Sequence, residues 1–282
     1  AANTSLPLQG KTALVTGSAR GIGAAIAWKL ATEGADEVIS LIERMASELE
    51  SHESKIIIHH LSESSDTQAE ELASRIRSLP HLPSVLKIRV DIASRTGPNE
   101  IVEKLKAWRE PSALVIDILI NNAGIAPPAA LGDITADHFS SIISTNLQGP
   151  LLMIQAAAPH LAKPARIINI SSLAARQSFR GLTVYAASKA GLEAVTRHLA
   201  LELGGDGTTV NCVTPGAVES ELLRETDKKI PGIIDKICEN TPLQNRVGTP
   251  EEFADVVAWL CRAEAGWMTG QTISATGGQA MY

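Results

Sequence analysis

A glycine-rich turn stands between the first apolar run of the chain and its first helical pattern. The run KTALVTG ends at Gly17, the letters TGSARGIG cover residues 16–23, and a helix is expected from about Ile22 to Thr32. Glycine adopts backbone angles that other residues avoid, and it leaves room for a ligand beside the backbone. The helix N-terminus offers free N–H groups and positive dipole to a phosphate. This placement predicts a strand–turn–helix unit that binds a nucleotide.

Further aliphatic runs alternate with helical patterns along the chain. Near-continuous aliphatic runs are typical of buried parallel strands, and their alternation with helices is typical of βαβ units. We therefore predict an α/β fold: one Rossmann-type, doubly wound parallel sheet with helices on both faces, forming a single domain over residues 1–282. One further strand is predicted in VIDILINNAG, where the apolar part ends at Ile120. The other predicted strands span residues 85–91, 165–172, 208–216 and 270–278. The predicted helices span residues 66–79, 135–162, 188–203 and 250–261.

The second strand has two candidates. Residues 55–61 (KIIIHHL) are preferred, because residues 66–79 then supply the following helix at a normal length and residues 36–54 become an insertion. The competing candidate is residues 37–43 (EVISLIE), which leaves Glu43 at the strand end. Adjacent His59 and His60 point to opposite faces of a strand, which argues against a shared metal ion.

Composition excludes several classes of partner. A net charge of −6 argues against nucleic acid. No apolar run approaches the roughly 20 residues that cross a bilayer. The beginning AANTSLPLQGK lacks the basic and apolar parts of a secretory signal. Cys212, Cys238 and Cys261 have no metal-ligand spacing and fit buried thiols in a reducing compartment. We therefore expect a cytoplasmic protein without a metal site.

Several motifs occur in the order found in one enzyme family. The Gly-x-x-x-Gly-x-Gly turn is followed by NNAG at residues 121–124, Asn146 in STNLQGP, Ser172, and Tyr185 with Lys189 as a Tyr-x-x-x-Lys pair. PGAVES at residues 215–220 follows. Over about residues 11–278 the chain resembles the short-chain dehydrogenase/reductase family, most closely its fungal naphthol-type ketoreductases and 3-oxoacyl-carrier-protein reductases.

The resemblance implies hydride transfer between a nicotinamide cofactor and a carbonyl or alcohol carbon. Tyr185 would be the acid/base, and Ser172 would polarise the substrate oxygen. Lys189 lies four residues after Tyr185 on the same helix face, where an ammonium should lower the pKa of the phenol from about 10. The resemblance further implies that Lys189 holds the nicotinamide ribose and that Asn146 holds a water of a proton relay. Packing and capping roles are the alternatives for each residue.

The cofactor is predicted to be NADP(H), with NAD(H) as the alternative. Arg20 in the turn can reach a ribose 2′-phosphate. With residues 55–61 as the second strand, no acid stands at the strand end and two serines could donate to the phosphate. With residues 37–43, Glu43 would repel the phosphate and favour NAD. The predicted cofactor-binding residues are Gly17, Ser18, Arg20, Gly21, Ile22, Gly23, Ser62, Ser64, Asp91, Ile92, Asn122, Gly124, Tyr185, Lys189, Val218 and Ser220.

The predicted substrate is a small-molecule ketone reduced to a secondary alcohol. Residues 220–240 suit a lid, with an ordinary surface helix pair as the alternative. Candidate pocket residues are Ile125, Pro127, Phe179 and Leu222. Resemblance implies a homotetramer through the helices around Asn146 and after Tyr185. Two other functions remain open: an NAD-dependent alcohol dehydrogenase, and a catalytically silent nucleotide-binding regulator of the same fold.

Overall fold

The computed structural model describes residues 6–35, 37–42, 63–81, 83, 85–220, 223–224, 227–228 and 231–281. Strands and helices alternate, as the sequence predicts. The strands are β1 (Thr12–Thr16), β2 (Glu37–Ile42), β3 (Lys87–Arg89), β4 (Ile116–Asn121), β5 (Leu161–Ile170), β6 (Thr209–Pro215) and β7 (Thr272–Ala275). The helices are α1 (Gly21–Thr32), α2 (Glu63–Arg77), α3 (Gly97–Arg109), α4 (Ala136–Ile143), α5 (Gly149–Ala157), α6 (Thr183–Leu203), α7 (Ile233–Glu239) and α8 (Pro250–Cys261).

The described strands form one seven-stranded sheet in the order β3-β2-β1-β4-β5-β6-β7, and every neighbouring pair is parallel. The order reverses between β1 and β4, where the chain stops extending the sheet on one side and starts on the other. In doubly wound sheets, ligands bind at this point, outside the carboxyl ends of the strands. The predicted fold class is therefore confirmed.

Alternate residues of the central strands face two hydrophobic cores. Ala13 and Val15 of β1 pack toward α1, α2 and α8, whereas Leu14 packs toward α3 and α5. Ile168 and Ile167 of β5 divide in the same way. Because both faces of the sheet are covered by helices, these strands need the continuous aliphatic character seen in the sequence.

The preferred second strand was wrong. Residues 37–42 pair with both β1 and β3, so they occupy the position that was assigned to residues 55–61. The physical reason is the short return from α1. Gly34 adopts φ +98°, Ala35 is buried, and the chain enters the sheet directly afterwards. Residues 55–61, with Glu43, His59, His60 and Ser62, lie outside the described residues.

Two helical predictions also need correction. The helix expected at 135–162 is divided into α4, a π-helical turn at Ser144–Gln148, α5 and a short 3₁₀ turn, and β5 begins at Leu161. Helix α3 was not predicted. The helix expected at 66–79 corresponds to α2, and the helix expected at 250–261 has the predicted bounds.

Candidate active site

The glycine-rich turn (residues 16–23) lies against the end of β4. Gly17 adopts φ +65°, and a Cβ atom there would lie 2.8 Å from the Cα of Ala123. At Gly23, a Cβ atom would lie 2.2 Å from the carbonyl oxygen of Gly17. Neither position has room for a side chain, so the sequence needs glycine at both. Gly21 adopts φ +55° with no atom within 4 Å of its added Cβ, which leaves open space beside the start of α1.

Asn122 joins this turn to β4. Its Nδ2 donates hydrogen bonds to the carbonyl oxygens of Thr16 at 3.0 Å and Gly17 at 2.9 Å. The Thr16 hydroxyl in turn accepts from the backbone N–H groups of Asn122 at 2.9 Å and Ala123 at 3.0 Å. These reciprocal bonds position the carboxyl ends of β1 and β4 at the reversal of the sheet. Sequence reasoning missed Thr16, although its place at the end of the first strand was a usable signal.

The predicted residues of the turn have different environments. Ser18 is buried and its hydroxyl donates to the carbonyl oxygen of Val15 at 2.8 Å, so it supports the turn through its side chain. Arg20 is exposed and immediately precedes α1, in extended backbone conformation. Ile22 is half-buried in the first turn of α1 and packs against the core on that side of the sheet. A guanidinium beside a helix N-terminus adds positive charge to a place that already favours an anion.

Asn146 lies in the π-helical turn between α4 and α5 and is fully buried. Its Oδ1 accepts from the N–H of Ile125 at 2.9 Å, and its Nδ2 donates to the carbonyl oxygen of Ile125 at 2.8 Å. Nδ2 also lies 3.1 Å from the hydroxyl of Ser188, which donates to the carbonyl oxygen of Tyr185 at 2.7 Å. π-Helical turns occur frequently at functional sites. Asn146 therefore joins the segment after β4 to the first turn of α6.

Ser172 and Tyr185 meet at the carboxyl end of β5. Ser172 begins the 3₁₀ turn after this strand, where its hydroxyl accepts from the N–H of Ala174 at 3.2 Å. Tyr185 is half-buried in the first turn of α6, and the Ser172 hydroxyl lies near enough to its phenol to act on the pKa of that phenol. Burial raises the pKa of the Tyr185 phenol, and the Ser172 hydroxyl acts in the opposite direction. The structure brings together the two hydroxyl groups that the sequence nominated.

Lys189 is buried one helical turn after Tyr185. Its Nζ donates to the carbonyl oxygen of Ile170 at 2.8 Å and lies 5.9 Å from the centre of the tyrosine ring. Burial lowers the pKa of this ammonium to about 8. The expected lowering of the Tyr185 pKa by Lys189 is not found, because the ammonium is bonded to Ile170 and burial of the phenol is the larger effect.

Gly124 lies beside this group. A Cβ atom there would be 3.2 Å from Oδ1 of Asn146 and 3.4 Å from Nζ of Lys189. The polar atoms of these two residues therefore lie close to Gly124, and a side chain at this position would crowd both of them. Sequence reasoning placed Gly124 only along the cofactor cleft, and Ser188, which joins Asn146 to α6, was missed despite its place within the Tyr-x-x-x-Lys motif.

The remaining predicted cofactor residues are distributed along the same edge of the sheet. Asp91 follows β3, and its Oδ1 accepts from the N–H of Ala93 at 2.7 Å, while Ile92 is buried. Val218 is buried and pairs with Gly248, and Ser220 accepts from the N–H of Leu223 at 3.1 Å. Ser64 lies in the first turn of α2 rather than after the second strand, so its predicted position was wrong.

The segment after β4 borders the group of Ser172, Tyr185 and Lys189. His138 Nε2 lies 3.0 Å from the carbonyl oxygen of Pro127, and the N–H of Ala129 donates to Gly181 at 2.9 Å. Phe179, between Ser172 and Tyr185 in the chain, is 44% exposed. The candidate pocket residues Ile125, Pro127 and Phe179 thus belong to two segments that touch each other. Leu222 lies outside the described residues.

The part of the chain that the structure covers has neither a group of metal ligands nor a helix that could span a membrane. Among those residues, no three His, Cys, Asp or Glu side chains are grouped in a way that could hold a metal ion. None of the helices in the same part is long and apolar enough to cross a membrane.

The chain is similar to known proteins over most of its length. A family model described as Enoyl-(Acyl carrier protein) reductase matches residues 40–280. The chain is 38% identical over 272 residues to the short-chain dehydrogenase/reductase FrzI of a Cladobotryum species, and the match covers 95% of each chain.

Two solved structures share the fold over nearly their whole length. A blue fluorescent protein from a metagenomic library, in complex with NADPH, is 31% identical with a TM-score of 0.82, covering 98% of this chain and 100% of that one. The angucycline C-6 ketoreductase LanV with bound NADP is 30% identical with a TM-score of 0.82, covering 97% and 96%.

Proposed function

This chain belongs to the short-chain dehydrogenase/reductase family of oxidoreductases, and from that premise we propose that it is an NADP(H)-dependent carbonyl reductase. It reduces a ketone of a small molecule to a secondary alcohol, and the reaction is reversible. The observation that carries the proposal is the meeting of Ser172 and Tyr185 at the carboxyl end of β5, one helical turn from the buried ammonium of Lys189. A hydroxyl, a phenol and a cation together can stabilise and protonate a substrate oxygen on which negative charge develops.

Tyr185 is the proton donor in the direction of reduction. Burial keeps the pKa of its phenol raised, so the side chain is protonated near neutral pH and holds the proton that the new alcohol requires. Ser172 donates a hydrogen bond to the substrate oxygen and so stabilises the charge that develops there. In the direction of oxidation, the phenolate accepts the proton of the alcohol.

In this proposal, Lys189 and Asn146 assist the Tyr185 phenol without being the proton donor themselves. With a pKa of about 8, Lys189 is mainly an ammonium at neutral pH, and it is held by the carbonyl oxygen of Ile170. Asn146 holds the segment after β4 through both backbone groups of Ile125. In this proposal, Asn146 holds a water that links Lys189 to solvent, and Lys189 passes a proton from that water to the Tyr185 phenolate after each reduction.

The residues present fit a nicotinamide dinucleotide. Because Gly17 and Gly23 have no side chain, a pyrophosphate can approach the N-terminus of α1. No atom lies within 4 Å of a Cβ atom built on Gly21, so there is space beside this turn. Asp91 and Ile92 would hold the adenine, Lys189 a ribose, and Val218 and Ser220 the carboxamide end. When bound, the cofactor supplies or accepts the hydride.

The choice between NADP(H) and NAD(H) depends on two residues. Arg20 is exposed at the start of α1 and supports NADP(H), as do relatives whose structures contain NADPH or NADP. Glu43 follows β2 directly in the sequence, and an acid at that position favours NAD(H) because it repels a 2′-phosphate. An NAD-dependent alcohol dehydrogenase is therefore the second candidate function.

Cofactor absorbance at 340 nm tests both functions. The purified chain is mixed with NADPH or NADH and a panel of ketones, and with NADP or NAD and the corresponding alcohols. We expect faster ketone reduction with NADPH. Faster turnover with NADH would support the alcohol dehydrogenase, and cofactor binding without turnover of any ketone or alcohol would contradict both enzymes.

We also propose a lid and an oligomer. Residues 220–240, which include α7, would cover the substrate. A groove of about 500 Å³ runs between α5 and α6, lined by side chains such as Leu151, Val195 and Leu199. A second copy of the chain covers this groove in a homotetramer. Light scattering should give four chains for the native protein and fewer for Leu151→Arg, and a monomeric native protein would contradict this proposal.

A further inference from the structure

Glu193 is a buried carboxylate that the proposed reaction does not use. It is 5% exposed and lies on α6, four residues after Lys189 and eight after Tyr185. Residues at these spacings share one face of a helix. The helix that carries the phenol and the ammonium therefore also presents a carboxylate to the end of β5.

The partners of Glu193 stand on both sides of Ser172 in the chain. The hydroxyl of Ser171 donates to Oε1 of Glu193 at 2.9 Å, within the protein interior. Nε of Arg176 donates to Oε2 at 2.9 Å. Ser171 directly precedes Ser172, and Arg176 follows it by four residues, at the end of the 3₁₀ turn that Ser172 begins. One side chain of α6 thus holds the segment that bears Ser172 at two points.

This arrangement fixes a distance that the chemistry depends on. Tyr185 is carried by α6, whereas Ser172 is carried by the segment after β5, and the two side chains approach each other at the end of that strand. Because Glu193 joins that segment to α6, it determines how closely the two hydroxyl groups approach. We propose that Glu193, through Ser171 and Arg176, is a positioning residue that holds Ser172 against Tyr185.

The surroundings of Glu193 fit this role. Its carboxylate has an arginine partner, as a buried charge requires. Tyr185, Lys189 and Arg197 are the other titratable groups at spacings of four along this helix face, and Lys189 is bonded to Ile170. From β6, Cys212 faces the same cluster, and burial raises the pKa of its thiol to about 12, against the lowering effect of its hydrogen bond with Thr196. Glu193 raises this pKa further, whereas Lys189 and Arg176 lower it.

The proposal rests on the function proposed above, so its test has one readout with turnover and one without. The kinetic readout is a double-mutant cycle with Glu193→Ala, Ser172→Ala and the double variant. We expect Glu193→Ala to lower kcat about 10-fold to 100-fold, since misplacement by about 1 Å has effects of that size. The KM for the ketone should change little, and the double variant should be no slower than Ser172→Ala. Additive losses would overturn the proposal.

The second readout uses the two tyrosines of the chain. Protein labelled with ¹³C at tyrosine Cζ gives one resonance for Tyr185 and one for Tyr282, assigned with Tyr282→Phe. Loss of the Ser172 hydroxyl shifts the Tyr185 resonance, and Glu193→Ala should shift it in the same direction as Ser172→Ala. An unchanged resonance in Glu193→Ala would overturn the proposal, whether or not the protein turns over a ketone.

A matched control separates positioning from general stability. Glu33 is also a buried carboxylate bonded to an arginine, Arg262, but this pair joins α1 to α8. Glu33→Gln should leave kcat and the Tyr185 resonance unchanged. If Glu193→Ala does not fold, Glu193→Gln, which keeps an acceptor for Ser171, and Arg176→Ala replace it. Both should shift the resonance less than Ser172→Ala does, and no shift in either would overturn the proposal.

The outcomes distinguish this inference from the proposed function. A wild-type protein without turnover, in which Glu193→Ala still shifts the Tyr185 resonance, would contradict the carbonyl reductase and support the positioning role. Turnover in the wild type with additive kinetics and an unmoved resonance would support the reductase and overturn the role of Glu193.

Discussion

The ammonium of Lys189 donates a hydrogen bond to the carbonyl oxygen of Ile170, the last residue of β5, over 2.8 Å. This bond holds a fully desolvated charge at the end of the central sheet. Burial lowers the pKa of Lys189 from 10.5 to about 8, which means that the folded protein binds this proton less tightly than the unfolded chain does. The residue proposed for catalysis therefore destabilises the fold at neutral pH.

Lys189→Met should be inactive but more stable than the wild type at pH 7, by about 1–3 kcal/mol. The unfolded chain binds the extra proton between about pH 8 and 10.5, so the penalty in the wild type is complete below pH 8 and disappears as the pH rises through this window. Urea unfolding of both proteins at pH 7 and pH 9.5 measures the difference. An advantage of Lys189→Met that is equal at the two pH values would contradict the buried ammonium.

Tyr185→Phe should lower kcat for ketone reduction by about 10²-fold to 10⁴-fold, because the proton donor is lost. Its affinity for NADPH, measured by fluorescence titration, should remain close to that of the wild type. Tyr282→Phe removes the other tyrosine of the chain and is the matched control, with unchanged kcat. A Tyr185→Phe variant with full activity would exclude the phenol as the acid.

Gly23→Ala should destabilise the protein by about 1–3 kcal/mol and weaken NADPH binding, because its Cβ atom would lie 2.2 Å from the carbonyl oxygen of Gly17. Thermal unfolding with and without NADPH measures both effects. Gly205→Ala is the control, since no atom lies within 4 Å of its added Cβ, and it should change stability by less than about 0.5 kcal/mol. Equal effects of the two substitutions would show that the turn tolerates a side chain.

Arg20→Ala should raise the KM for NADPH about 10-fold to 100-fold and leave the KM for NADH unchanged, since a charge-assisted hydrogen bond contributes about 1.5–3 kcal/mol. Arg197→Ala, at an exposed position of α6, is the control for a lost positive charge. Glu43→Gln should improve NADPH use if this acid is near the 2′-phosphate. Equal losses for both cofactors in Arg20→Ala would remove this residue from the choice.

The amino-acid sequence determined the fold class and most of the elements through short-range patterns. The aliphatic runs of β1, β4, β5 and β6 are continuous because each is buried on both faces, and a pattern of that kind is visible without coordinates. The same holds for the glycine positions, where Gly17 and Gly23 have no room for a side chain. Ser172, Tyr185 and Lys189 were nominated from motif order and spacing, and the structure brings their side chains together.

The tertiary structure decided what depends on contacts between distant residues. Two segments had the local character of a strand, and only pairing with both β1 and β3 selected Glu37–Ile42. The raised pKa of Tyr185 follows from burial, which no spacing rule contains. The sequence did not point to Glu193, because its proposed role depends on hydrogen bonds with Ser171 and Arg176, which are 22 and 17 residues away in the chain. Local patterns specify elements, whereas the free energy of a buried polar group depends on what the packed elements place beside it.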